Sequence, residues 1–99
     1  MKKLNLVYEY NYKNVDIVLV PNEVADHIDQ VVQTFQDWLT NPQNSEPFAR
    51  YTENGFRYLT IGTNEFVWWL NNICYPNGEK TTVLERSVYY YPEYPMADF

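Results

Sequence analysis

Between Val24 and Leu39, seven apolar residues (Val24, Ile28, Val31, Val32, Phe35, Trp38 and Leu39) fall at offsets 0, 4, 7, 8, 11, 14 and 15. A helix turns once every ~3.6 residues, so this spacing lays all seven along one continuous stripe. A stripe of that width has to be buried against another element, and this requirement limits the chain to folds in which a helix covers a hydrophobic layer. The ends of the helix are marked. Pro21 closes the preceding extended stretch, Asn22 is the expected N-cap, and Glu23 and Asp26 place negative charge in the first turn, where the helix dipole favours it. Asn41-Pro42 stops the helix, which is expected over 23–40.

The layer beneath it reads as strands. Leu4, Leu6, Tyr8 and Tyr10 alternate with Asn5, Glu9 and Asn11, and Val15, Ile17 and Leu19 alternate with Asp16, Val18 and Val20, a hairpin turned at Asn11 to Asn14. After the Pro/Asn/Gln/Ser loop from Pro42 to Pro47, Asn54-Gly55 sits between Ala49-Arg50-Tyr51 and the run Phe56 to Ile61. This is the signature of a second hairpin with a two-residue type I′ turn. Thr63 is the expected cap of a second helix, with Phe66, Trp69, Leu70 and Ile73 on its buried face, ended by Pro76-Asn77-Gly78. A last strand is expected from Lys80 to about Tyr90, with Thr82, Leu84, Val88 and Tyr90 on one face. The order is therefore ββ-α-ββ-α-β. It implies an α+β fold with a largely antiparallel sheet of about five strands and two helices packed on it, in a β-grasp-like or other α/β-plait arrangement. The expected domain is a single one over 1–99, with a Tyr/Pro-rich tail at 89–99.

Composition narrows the function classes. A chain of 99 residues that is 45% hydrophobic and 18% aromatic can bury one core, with little room for a deep cofactor cleft. Thirteen acidic against seven basic residues give a net charge of -6, which repels a phosphate backbone and an anionic membrane surface alike. Direct nucleic-acid binding and membrane association are thus not expected. Neither Val15 to Val20 nor Phe66 to Leu70 approaches the ~20 apolar residues of a bilayer crossing. Met1-Lys2-Lys3 leads into Leu4 to Glu9, which is no signal-peptide core. Cys74 is the only cysteine and has no internal partner, so the expected compartment is the reducing cytoplasm.

Catalytic and metal chemistry fail on residue inventory. His27 is the only histidine, and Val31 and Thr34 on its helical face offer no nucleophile for it to activate. Cys74 falls at the C-terminal end of its helix, where the dipole raises a thiol pKa instead of lowering it. Ser45 and Ser87 lack a nucleophile-elbow context. The acid pairs Glu23/Asp26 and Asp26/Asp29 lie on the solvated side of the first helix, without the contrast in burial that acid/base catalysis needs. One His and one Cys do not make a structural zinc site, and Gly55, Gly62 and Gly78 stand apart at turns instead of forming a phosphate loop. No enzyme activity, cofactor or metal is expected.

Two surfaces remain as candidates for a partner. The first is the polar stripe Glu23, Asp26, Gln30, Gln33 and Asp37 along the first helix, suited to a basic protein. The second is the tail, where Tyr89, Tyr91, Tyr94, Met96 and Phe99 are residue types enriched at interfaces. The alternative for the tail is that it folds back to cover the sheet. A small, acidic, cofactor-free chain of this kind is expected to be a non-enzymatic protein-binding module, with the general profile of an inhibitor, an immunity protein or a phage accessory protein. The competing expectation is a structural subunit or homodimer that assembles through its sheet edge and tail.

Overall fold

The alternation in the first twenty residues does make a hairpin. In the computed structural model, which describes residues 1–7 and 14–98, β1 (Lys2–Val7) and β2 (Val15–Val20) pair antiparallel, with Leu4 opposite Val18 and Leu6 opposite Asp16. Tyr8, Tyr10 and most of the expected Asn11–Asn14 turn lie outside the described residues. Directly opposed residues share a face, so Leu4, Leu6, Val18 and Val20 point one way while Val7, Val15 and Ile17 point the other.

Both faces are buried. The first is covered by α1 (Asn22–Asp26), α2 (Ile28–Leu39) and, after the short α3 (Pro42–Ser45) that stands where a loop was expected, α4 (Thr63–Trp69); α1, α2 and α4 contribute Val24, Val31, Val32, Phe35, Phe66 and Trp69 to one core. Phe35 sits at its centre, with ring centroids 5.3 Å from Phe66 and 5.0 Å from Trp69. Offset aromatic pairs of this kind add to the stabilisation from area burial alone. The second face is covered by the tail, whose Tyr90, Tyr91, Tyr94 and Met96 pack on Val7, Val15 and Ile17.

The tail then supplies a strand of its own. β6 (Met96–Asp98) runs parallel to β1, and β5 (Thr82–Val88) pairs antiparallel with β2, so the main sheet has the order β5-β2-β1-β6. Pro95 fits at the entrance to β6 because its carbonyl, which accepts from the Asn5 amide at 2.9 Å, is the group the edge requires. What ties the tail down is Asn5. Expected to face water, it is fully buried; its Nδ2 donates to the carbonyls of Tyr91 (2.8 Å) and Tyr94 (3.1 Å), and its Oδ1 accepts from Tyr91 N (2.8 Å).

The α+β class holds, and the membership of its elements differs from expectation in four places. The first helix is broken at His27, whose φ of -127° and ψ of 35° lie outside the helical basin. Its cap is Pro21, whose carbonyl accepts from Val24 and Ala25, so Asn22 is already helical. The stripe survives because both halves keep it on the same core. The cap of α4 is Gly62, whose N–H donates to Glu65 Oε1 at 2.9 Å, while Thr63 is already helical and its hydroxyl donates to Asp16 Oδ2. Beyond Trp69 the helix widens into a π-turn over Leu70–Cys74, with Tyr75 N donating to Leu70 O at 2.9 Å.

The third difference is in β5, where the pairing with β2 shifts twice between Val15 and Val18. Each extra residue reverses the side-chain alternation. The two reversals cancel over the strand, so Val83 lies on the helix-side core and Val88, five residues on, on the tail side, while Leu84 is left exposed. Ser87 takes up the irregularity at a φ of 54°, and the carboxylate of the buried Asp16 holds the bulge through Ser87 N at 3.0 Å. Fourth, β3 (Ala49–Tyr51) and β4 (Arg57–Leu59) form a two-stranded sheet of their own, so the expected second hairpin adds no strand to the main sheet. Its loop has three residues instead of two. Thr52 O accepts from Gly55 N, Phe56 O accepts from Thr52 N, and Gly55 alone takes positive φ, at 84°.

Two outcomes follow for stability. Trp69→Ala should lower the unfolding free energy by about 3–5 kcal/mol in a denaturant melt, and the half-buried Trp38→Ala by about 1–3 kcal/mol. Asn5→Ala should cost roughly 2–4 kcal/mol, since it strands buried tail groups. In native-state hydrogen exchange its loss should appear first at the Tyr91 and Tyr94 amides.

Candidate interaction surfaces

The polar stripe of the first helix is where the helical spacing puts it. Glu23, Asp26, Gln30, Gln33 and Asp37 are all exposed, across both α1 and α2. They do not all stand alone. Lys2 Nζ bonds Asp26 Oδ1, and Gln33 Nε2 donates to Asp37 Oδ1 at 2.9 Å. Residues 14–49 contain no Lys or Arg, so this side of the molecule is acidic apart from the ammonium that β1 lends it.

The candidate tail residues separate into two groups. Tyr91, Tyr94 and Met96 are half-buried on the second face of the sheet. The Tyr91 and Tyr94 rings lie 5.0 Å apart, and the Tyr91 hydroxyl donates to Glu85, which raises its pKa. Tyr89 is outward-facing, its ring 5.2 Å from that of Tyr90. Phe99 lies outside the described residues. Most of the tail thus works as a cover for Val7, Val15 and Ile17.

One exposed aromatic surface among the described residues was not singled out in the sequence. It is the β3–β4 arm, in which every residue from 50 to 60 is exposed. Phe56 is 71% exposed, Tyr51 55% and Tyr58 51%, with Leu59 beside them. At the root of the arm Trp68, itself 42% exposed, packs edge-on to Phe48 at 5.7 Å, and Trp38 lies against both. A network on the arm orders it from outside the main sheet. Glu46 accepts from the Tyr51 hydroxyl (2.7 Å) and from Arg57 Nε (3.3 Å), and Arg57 Nη2 also donates to Ser45 Oγ (2.7 Å). The hydrogen bond to Tyr51, followed by the Arg57 contact, holds the Glu46 carboxyl below its ordinary pKa, and the same bond raises the Tyr51 hydroxyl. In the sequence, the signal was aromatic and aliphatic residues of both parities in Phe56 to Ile61. That pattern reads as a strand covered on both sides, and here neither side is covered.

A fourth feature joins the only histidine to the only cysteine. A hollow of about 320 Å³ between the helix break and the π-turn is lined by Glu23, His27, Gln30, Thr34, Cys74 and Tyr75. Burial pushes the Cys74 thiol up and the Glu23 charge adds to the rise, with a partial offset from the Tyr75 side chain. The hollow therefore holds a thiol kept protonated, which is the opposite of an activated nucleophile. Among the described residues no group of three or more His, Cys, Asp or Glu is placed to hold a metal ion. No helix among them is long and apolar enough to cross a membrane.

These features define an α+β protein with a four-stranded sheet and a two-stranded sheet that forms an exposed aromatic arm. Compared with protein families, curated proteins and solved structures, the chain matches none.

Alkylation measures the state of the thiol. Cys74 should react with iodoacetamide more slowly than free cysteine at pH 8, and the rate should climb as pH rises through the elevated pKa. A rate at or above that of free cysteine would contradict the buried, protonated thiol.

Proposed function

We propose that the protein is a non-enzymatic protein-binding module that works by occupying a surface of a partner protein, as an inhibitor, an immunity protein or an accessory factor does. The observation that carries this reading is the β3–β4 arm. Its two strands are paired only with each other, and both faces present aromatic rings to water. A two-stranded sheet gains little from its own pairing, so exposed Phe and Tyr on it represent apolar surface the fold itself does not use. Tyr and Trp are the side chains that most often anchor an interface, and the arm offers Tyr51, Tyr58 and Trp68 with Phe56 at its tip. The outer edges of β3 and β4 also carry backbone groups able to accept an extended segment. The acidic helix face favours a partner with a basic surface. A reducing cytoplasm suits a chain with one cysteine.

Self-assembly through an open edge is the competing reading. β5 is the longer edge of the main sheet, and it is guarded by its bulges and by Glu85 and Arg86. These are features that discourage strand pairing. The arm's strands are short and carry Arg50 and Arg57, so any homodimer should form through its exposed rings and not by strand pairing.

The double variant Phe56→Ser/Tyr58→Ser separates these readings. Both residues are exposed, so melting should change by less than about 0.5 kcal/mol. Affinity for a partner captured by the wild type should fall more than ~100-fold, the loss of two aromatic anchors. Light scattering should give a concentration-independent monomer for the wild type. A dimer that the double variant abolishes would establish self-assembly instead, and undiminished capture by the variant would remove the arm from the interface.

A further inference from the structure

Two departures from regular helix meet at one place. The first helix breaks at His27, and the helix after Trp69 widens into the π-turn that ends at Cys74. The hollow between them brings Glu23, His27, Gln30 and Thr34 from one side to face Tyr75 on the other. Single π-turns recur at binding sites because the extra residue re-aims the side chains around it. Alongside lies a second hollow of about 260 Å³, lined by the run Asp26 to Gln30, so His27 and Gln30 belong to both.

The helices that line this pair of hollows carry acidic residues and no Lys or Arg. Glu23, Asp26, Asp29 and Asp37 are exposed on the same two helices, in a stretch without a single Lys or Arg. The fold already brings one cation here, because Lys2 reaches across from β1 to Asp26. Glu23 has no such internal partner in the hydrogen bonds and ion pairs of the described residues, and it stands at the larger hollow. Anionic ligands are repelled by this face, and the donor set is not placed for a metal.

We propose that the larger hollow receives an arginine side chain presented by an extended basic segment of the partner protein. This deepens the protein-binding reading and rests on it. A guanidinium offers a planar fork of donors with no acceptor, and it stacks on aromatic rings. The hollow supplies the matching set: the Glu23 carboxylate, the side-chain carbonyl of Gln30, the Thr34 hydroxyl oxygen, and the Tyr75 ring as a stacking wall. Thr34 can accept because its own proton is given to Gln30 O at 2.9 Å. The neighbouring hollow, with Asp29 at its edge, takes the next basic side chain of the same segment. A lysine ammonium gains less here, since it uses neither the fork geometry nor the ring.

The test is a titration of isotope-labelled full-length protein with a short acetylated Ser-Arg repeat peptide, followed by amide chemical shifts. Shifts should concentrate at residues 23–34 and at Cys74 and Tyr75. Glu23→Gln and Tyr75→Leu should each weaken the peptide about tenfold, the size of one hydrogen-bonded charge contact, while Asp37→Asn should change it by less than about twofold. Tyr75→Leu keeps an apolar side chain against the core, so a folded variant is retained for the comparison. A Ser-Lys repeat should bind several-fold more weakly. Equal losses from Asp37→Asn and Glu23→Gln would overturn the proposal in favour of diffuse charge attraction. Equal affinity for the Ser-Lys peptide, equal affinity for free L-arginine, or an absence of shifts around the hollow would overturn it as well. None of these failures touches the arm, whose role is read from the Phe56 and Tyr58 variants.

Discussion

The buried amide of Asn5 is the interaction on which the two-sided core depends. It exchanges three hydrogen bonds with the backbone of Tyr91 and Tyr94, and these position the tail over Val7, Val15 and Ile17. Without that cover the central hairpin would present a continuous aliphatic face to water on the side away from the helices. Hydrogen bonds of this type add little net energy when water can replace them, and a great deal of geometric definition when it cannot. Asn5 is in the second situation, so the tail has one place to lie. β6 then continues beside β1 from the position that Asn5 sets.

A second buried polar side chain does comparable work on the opposite edge. Asp16 accepts from the Thr63 hydroxyl and from Ser87 N, with Arg86 Nη1 3.7 Å from its Oδ2. One carboxylate thereby joins β2, the start of α4 and the bulge of β5. The bulge roughens an edge that would otherwise invite pairing. The result is a main sheet whose β5 edge is irregular. The aromatic arm and the acidic helix face are what remain open.

Periodic features could be read directly. The stripe from Val24 to Leu39, Phe66, Trp69 and Leu70 of the expected buried face, and the Leu4/Leu6 alternation all state where a side chain must go, because the helix and strand repeats are local geometry; Ile73, expected on the same face, lies in the π-turn and is exposed. The mixed α+β class follows from those stretches together. The burial of Asn5 and Asp16 was not legible in the same way: in an alternating strand the polar member normally faces water, and what buries these two comes from residues 63–95, far away in sequence. The break at His27 and the π-turn at Leu70–Cys74 leave no mark on apolar spacing. The stripe has the residues to continue as one helix, and packing decided otherwise.

The candidate sites show the same division. Acidity along Glu23, Asp26 and Asp37 is a property of the residues themselves, and it is exposed wherever the apolar stripe is buried. That much the sequence determined alone: a helical layer on a sheet and an acidic outer side. Tertiary structure decided the rest. It assigned the tail to covering duty, left the Tyr51, Phe56 and Tyr58 arm uncovered, and brought His27 to the same hollow as Cys74. Burial depends on which distant segment arrives to exclude water, and periodicity along a chain carries no information about that arrival.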